Sequence, residues 1–234
     1  MFTTEHFIWI GLCAAFIIVM CLVARKYNFN LRQAGYIMCA ICIISEVTKV
    51  MSGMTLTDDG GRYLEPNYLP FHLCSLMIFV IFYLTFAEEN KRKQKMINFI
   101  SVAGTLGSFC AIMIPTNGTD FTTSEAYQCF VYHGGLMWYS IYLIISKQAD
   151  LGNVKTLRDN IVVMLCLTFL TLYVNGAFSA YDTNFFFLTR PPMEGLPYLN
   201  LNMGWYVYFV RLVILGLFAI SLFHLPFILK RKKK

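Results

Sequence analysis

The stretch 69–76, LPFHLCSL, sets a thiol and an imidazole at the entrance of a long apolar run. Ionisable and reactive groups are expensive in such surroundings and tend to mark function. A cysteine becomes a strong nucleophile when a neighbouring base takes its proton, and the acyl thioester it forms divides one difficult transfer into two easier ones. Cys74 is the candidate nucleophile. His72 is two residues away, which on a regular helix points it to a different face, so His133 is the better base unless Pro70 distorts the entrance. No GxSxG or HExxH pattern offers a rival hydrolase or metal centre, and the proposed chemistry requires no metal or soluble cofactor.

The elements that must position these groups follow from composition. Of 234 residues, 57% are apolar and 14% charged, against about 25% charged in ordinary soluble domains. Apolar runs of membrane-spanning length predict an all-α polytopic membrane protein, a single helical domain over 1–234. Seven helices are expected over 7–24, 34–53, 68–87, 96–114, 126–146, 160–179 and 203–229, with a basic tail at 230–234. Asp58 to Gly61 and Pro66 mark a polar loop. The segment 180–202, broken by Arg190, Pro191, Pro192 and Pro197, suits an interfacial or re-entrant element packed on the bundle. The start, MFTTEHF, lacks a positive n-region and a cleavage site, so the first apolar run is expected to be retained.

All but four of the 19 Lys and Arg residues fall after the first, third, fifth and seventh helices or in the tail. Arg62 and Arg190 lie in opposite-side loops, and Lys49 and Arg211 lie within helices. The positive-inside rule then puts the amino terminus outside and the carboxyl terminus in the cytoplasm. The clusters sit at the ends of apolar runs and form no basic face, so a nucleic-acid partner is not expected.

With this orientation, His72, Cys74, His133 and Arg211 enter their helices to about 6 to 12 Å, and Glu46, Lys49 and Asn175 lie at a similar depth on helices leaving the same side. Each has a bland reading: a Glu46–Lys49 ion pair, a snorkelling Arg211, Asn175 as interhelical glue, His72 at the interface. Five helices placing polar groups at one level point instead to a shared cavity open to the outer leaflet.

Eight cysteines all lie in apolar segments and, Cys74 apart, read mostly as small buried hydrophobes. Cys39 and Cys42 form a CxxC on one helix face. That spacing alone leaves a disulfide or metal open, but no second ligand pair or redox fold accompanies it. Ser101, Gly104 and Ser108 have the spacing of close helix packing.

Three motifs, LPFHLCSL, YHGGLMW (132–138) and NGAFSAYDTNFFFLTRPP (175–192), occur in that order and resemble bacterial integral-membrane proteins related to human transmembrane protein 164. The resemblance covers about residues 30–229. It implies an intramembrane acyltransferase of a bacterial cytoplasmic membrane, with Cys74 and His133 as catalytic residues and membrane phospholipid or lysolipid as substrate. Asn184, with Pro191 and Pro192, matches the family's Asn-aromatic-Pro segment. Bacterial relatives often carry an acidic residue after the Cys. Ser75 stands there in this chain, leaving Glu46 as a substitute carboxylate.

The expected function is lipid acyl transfer or transacylation at the outer-leaflet side. Arg211 or Lys49 would neutralise a headgroup phosphate, and His72 and Asn175 would stabilise the oxyanion. The alternative is a transporter or small-molecule-binding protein in which Glu46, Lys49, His133 and Arg211 form a substrate site or proton relay. A third reading is a seven-helix receptor or assembly factor, which needs no reactive thiol.

Overall fold

Side-chain caps fix where most of the helices begin, because the first N–H groups of a helix have no partner within it. In a computed structural model describing residues 2–57 and 59–232, Thr3 caps α1 (Thr4–Lys26) by accepting from His6 N. Asn30 and Gln33 form a reciprocal capping box at α2 (Leu31–Ser52), and Asn90 accepts from the amides of Arg92 and Lys93 at α4 (Lys91–Met113). α5 spans Ser124–Ile145, and α6, Val154–Ala177, is capped by Asn153. α7 runs Trp205–Lys232, so the expected basic tail begins inside a helix; Lys233 and Lys234 lie outside the described residues.

The third helix departs most from expectation. It was expected over 68–87, but α3 is Leu73–Phe86, only 14 residues and about 21 Å long at 1.5 Å per residue. Pro70 explains the late start: it lacks an N–H and disfavours helical backbone at the residue before it. Leu69 is accordingly extended after a short 3-10 turn, Pro66–Tyr68. The loop expected around residues 58–66 also contains structure. Strands β1 (Met54–Leu56) and β2 (Arg62–Leu64) pair antiparallel, with Thr55 opposite Tyr63. At its tip Gly60 has φ +83, and bonds from the Thr57 hydroxyl and the Gly61 amide hold the Asp59 carboxyl below its usual range. Asp58, part of that predicted loop, and Met1 lie outside the described residues.

Among the described residues there are thus seven α-helices, five of them (α1, α2, α4, α6 and α7) long and apolar enough to cross a membrane. α3 is too short to do so alone. α5 has 22 residues but carries Gln128, His133, Ser140 and six aromatic side chains in place of a lipid-facing apolar surface. Its neighbours explain how it is accommodated: α1, α2 and α4 all pack against it, α3 wedges between α2 and α4, and α6 and α7 pack on the far side of α4. Trp138, Tyr139 and Leu136 of α5 are fully buried.

Glycines let these helices approach. A Cβ on Gly104 of α4 would stand 2.2 Å from Ser140 Oγ of α5, and one on Gly135 would meet Ile41 and Met38 of α2 at 3.1 and 3.3 Å. The packing reading of Gly104 therefore holds. One end of the bundle is tied by Trp9 Nε1 donating to the Thr119 carbonyl and by the Ser52 and Ser124 hydroxyls. The other is tied by Tyr142 to the Phe29 carbonyl and by Arg231 to Asp150. Buried Lys93 closes that second end of α3, donating to the Ala87 carbonyl at 2.8 Å while pairing with Glu89.

Substituting Gly104→Ala is expected to destabilise the bundle by about 1 to 3 kcal/mol through overpacking. Adding Ser140→Ala, which removes the obstructing oxygen, should restore most of the loss. Thermal unfolding of the two single variants and the double variant in detergent measures that coupling.

Candidate functional site

The late start of α3 changes what surrounds Cys74. His72 is the N-cap residue, with extended backbone and no capping bond from its side chain, so Cys74 is the second residue of the first turn. The first turn-closing bond is Leu76 N to the His72 carbonyl at 2.9 Å. The amides of Leu73, Cys74 and Ser75 have no acceptor among the described residues. Three N–H groups at the positive end of a helix thus surround the thiol's own backbone, an arrangement suited to stabilising a nearby anion.

α5 supplies the base and an anchor. Tyr132 hydroxyl donates to the Cys74 carbonyl, tying the first turn of α3 to α5. The next residue, His133, has Nδ1 2.7 Å from the Cys129 carbonyl one turn back. A carbonyl only accepts, so Nδ1 carries the proton and Nε2 presents its lone pair. Cys129 Sγ also lies 3.6 Å from Nδ1, but that nitrogen is committed as a donor and cannot take a thiol proton. Cys74 and His133 are both partly exposed. No hydrogen bond joins them among the described residues. Cys74 Sγ faces α4 at Gly107, where a Cβ would stand 3.5 Å away.

From α2, Lys49 Nζ lies 2.8 Å from Glu46 Oε1 and donates to Ser75 Oγ at 3.4 Å. The ion pair thus touches the residue that follows Cys74. Its burial in the bundle wall requires this mutual neutralisation.

The segment between α6 and α7 covers the site from above. Both ends of the Asn175 amide engage Phe185: Nδ2 donates to its carbonyl at 3.0 Å and Oδ1 accepts its N–H at 2.9 Å. The fully buried Phe185 ring and that of Phe187 pack on His72 at 5.2 and 5.6 Å between centroids. Asn184 accepts from Thr189 and Arg190 and donates to the Arg190 carbonyl, closing a loop. From α7, Tyr208 hydroxyl donates to the Phe187 carbonyl and Trp205 Nε1 to that of Leu188. Phe186 and Phe187 have φ of +57 and +56, an unfavourable backbone for aromatic residues that only over-determined surroundings sustain.

The expected single layer is therefore divided. Cys74, His72, His133, Glu46 and Lys49 gather around the first turn of α3. Asn175 and Asn184 organise the covering segment, and the Asn175 amide is occupied by Phe185. Arg211 is half-buried on α7, stacked 5.5 Å from Tyr198 and bonded to the 198–203 stretch, and no bond connects it to the Cys74 cluster among the described residues. The CxxC gains no ligand set: Cys39 donates to Thr85 Oγ1 at 3.6 Å, and no cluster of three His, Cys, Asp or Glu suited to a metal occurs among the described residues.

Several contributors escape sequence reasoning. Tyr132 and the free amides were missed because the start of α3 was placed too early; Cys129 was read as a packing residue although it stands four before His133 on one helix face. His224, at the opposite end, donates from Nδ1 to the Leu151 carbonyl and accepts from Asn160 at 3.0 Å, an anchor of α7 on α6 rather than part of the site.

The family model described as the TMEM164 family matches residues 1–224. No curated protein and no solved structure gave a match.

Replacing Asn175 by Ala removes both Phe185 bonds and is expected to cost roughly 1 to 3 kcal/mol locally. Amide hydrogen exchange should rise over residues 183–189 while the exchange of α4 and α5 stays unchanged.

Proposed function

The chain belongs to the TMEM164 family, and from that premise we propose that it is an intramembrane acyltransferase or transacylase acting on phospholipid and lysolipid. The observation that carries this reading is a cysteine in a helical first turn whose amides have no backbone acceptor among the described residues, held by Tyr132, the residue before a histidine whose Nδ1 is engaged and whose Nε2 makes no hydrogen bond among the described residues.

In the reaction, His133 Nε2 takes the Cys74 proton, and the sulfur attacks a lipid ester carbonyl. Charge gathers on the carbonyl oxygen, where the amides of the first turn of α3 serve as donors. These amides take over the role first given to Asn175. The ester C–O bond breaks, and the departing lysolipid oxygen receives the proton from His133. A second lysolipid hydroxyl then gives its proton to His133, attacks the thioester and releases the Cys74 sulfur, which recovers that proton. The mechanism requires Nε2 to come within hydrogen-bond reach of the thiol when substrate binds. Lys49, neutralised by Glu46 and adjacent to Ser75, is the group for the headgroup phosphate.

Orientation follows from charge. The Lys and Arg clusters lie at the end of the bundle opposite the amino terminus, so the positive-inside rule puts that end in the cytoplasm and the Cys74 cluster near the outer leaflet. That depth matches an ester carbonyl at the boundary of headgroups and hydrocarbon. The account suits a bacterial inner membrane and all seven helices embedded, with the 66–72 turn completing the depth that short α3 leaves.

Reconstituted in vesicles with labelled phospholipid and unlabelled lysolipid, the protein should exchange acyl chains. Cys74→Ala should abolish exchange, and His133→Ala should slow it by about 10²- to 10⁴-fold, the usual contribution of a positioned base. Equal exchange in wild type and both variants would end the proposal.

A further inference from the structure

A groove of about 410 Å³ runs between α2 and α3 on the flank away from α4. Ile43 and Val47 of α2 and Ile78 and Phe82 of α3 line it, with Cys42 and Glu46 at its inner wall. Ile43 and Val47 are 54% and 57% exposed, so in a bilayer the groove opens directly to lipid chains. Glu46 is the one charged residue in the lining, and Lys49 holds its charge at 2.8 Å. Once paired, the carboxylate no longer demands water in the groove.

Two links connect the groove to the reactive cluster. Lys49, on the turn of α2 that follows Glu46, donates to Ser75, the neighbour of Cys74. Ser75, Ile78 and Phe82 succeed one another at spacings of three and four, so one face of α3 carries both the polar contact and the apolar wall. On the inner side, Tyr132 donates to the Cys74 carbonyl. The groove is therefore a lipid-facing slot whose wall and rim are shared with the site. A second hollow is lined by Gly152, Asn153, Arg231 and Lys232 at the opposite end of the bundle, where the polar lining and the distance from Cys74 exclude it from this role.

We propose that the α2–α3 groove seats one acyl chain of a membrane glycerophospholipid, with the lipid phosphate at Lys49, and that the bulk at Val47 sets the length of chain that is transferred. This rests on the acyl-transfer reading for its consequence but not for its test. Lys49 has an ammonium with more donors than its two protein partners use, which suits a phosphate oxygen. A phospholipid joins an anionic phosphate to apolar chains, as Lys49 adjoins the apolar groove. Filling the slot with a larger side chain at Val47 would shorten it from its open edge without touching Cys74 or His133.

The test uses vesicles of phosphatidylcholine containing a small fraction of phosphatidylcholine with a photoactivatable diazirine near the end of one chain. Wild type and Cys74→Ala should both crosslink in the peptides bearing residues 42–51 and 78–82. Val47→Trp should reduce that labelling by about tenfold, the scale of discrimination by an apolar pocket, while Ile44→Trp, on the lipid-exposed face outside the groove, should leave it unchanged. In exchange assays Val47→Trp should lose transfer of long chains and keep that of short ones. Labelling spread evenly over the lipid-facing helices, or unaltered by Val47→Trp, would overturn the proposal. A free fatty-acid diazirine probe that labels the groove when the phospholipid probe does not would overturn the assigned occupant. Groove labelling together with acyl exchange that survives Cys74→Ala would sink the catalytic reading while the groove assignment stands.

Discussion

α5 has to be enclosed, and the rest of the bundle follows from that requirement. Its Gln128, Tyr132, His133 and Ser140 do not make a surface that lipid tolerates, because polar groups in hydrocarbon must find partners within the protein. α1, α2 and α4 supply the enclosure, made tight by Gly104 against Ser140 and Gly135 against α2. The partners follow: Gln128 donates to Ser45 at 2.7 Å, Ser140 to the Ile100 carbonyl at 3.0 Å, and Tyr132 to the Cys74 carbonyl. The last bond carries the enclosure into the reactive cluster, since it fixes the first turn of α3 against the helix that bears His133.

The same economy of partners decides the protonation pattern. His133 donates a hydrogen bond from Nδ1 to the carbonyl one turn back on its own helix, which sets its orientation from within α5. Glu46 and Lys49 satisfy each other before either meets a ligand. The covering segment is held in an unfavourable backbone by Asn175, Tyr208 and Trp205, and it closes over His72 with aromatic rings in place of polar groups. An aromatic roof, paired charges and a first turn whose amides lack backbone acceptors among the described residues distinguish this end of the molecule from the other. There Lys93, His224 and Asn160 are engaged in local anchoring.

Much of this was legible in the sequence. Apolar runs gave the seven helices, most within a few residues of their ends, since hydropathy and length are direct consequences of the bilayer. The Glu46–Lys49 ion pair was legible for the same reason, since charged groups stand out in apolar sequence, and Cys74 and His133 stand out there as candidates in the same way. The failures were local. LPFHLCSL reads as continuous with the following apolar run, and only the backbone preference around Pro70 stops the helix from forming before Leu73. The Met54–Leu64 hairpin has strands of three residues, too short for a period-two signal. Arg211 was grouped with the site by depth alone, and depth does not specify which side of a helix a residue occupies. Asn175 was read as an oxyanion donor because its partner, the backbone of Phe185, has no signature in sequence.

The central claim is that Cys74 carries the acyl group and His133 delivers it there. The direct measurement is peptide mass spectrometry after incubating the reconstituted protein with phospholipid and no acceptor. The account predicts a fatty-acyl mass on the peptide containing Cys74, released by hydroxylamine as a thioester is, and strongly reduced in His133→Ala. A hydroxylamine-labile acyl group on Cys129 with none on Cys74, or no acylated cysteine under conditions in which acyl exchange proceeds, would contradict it.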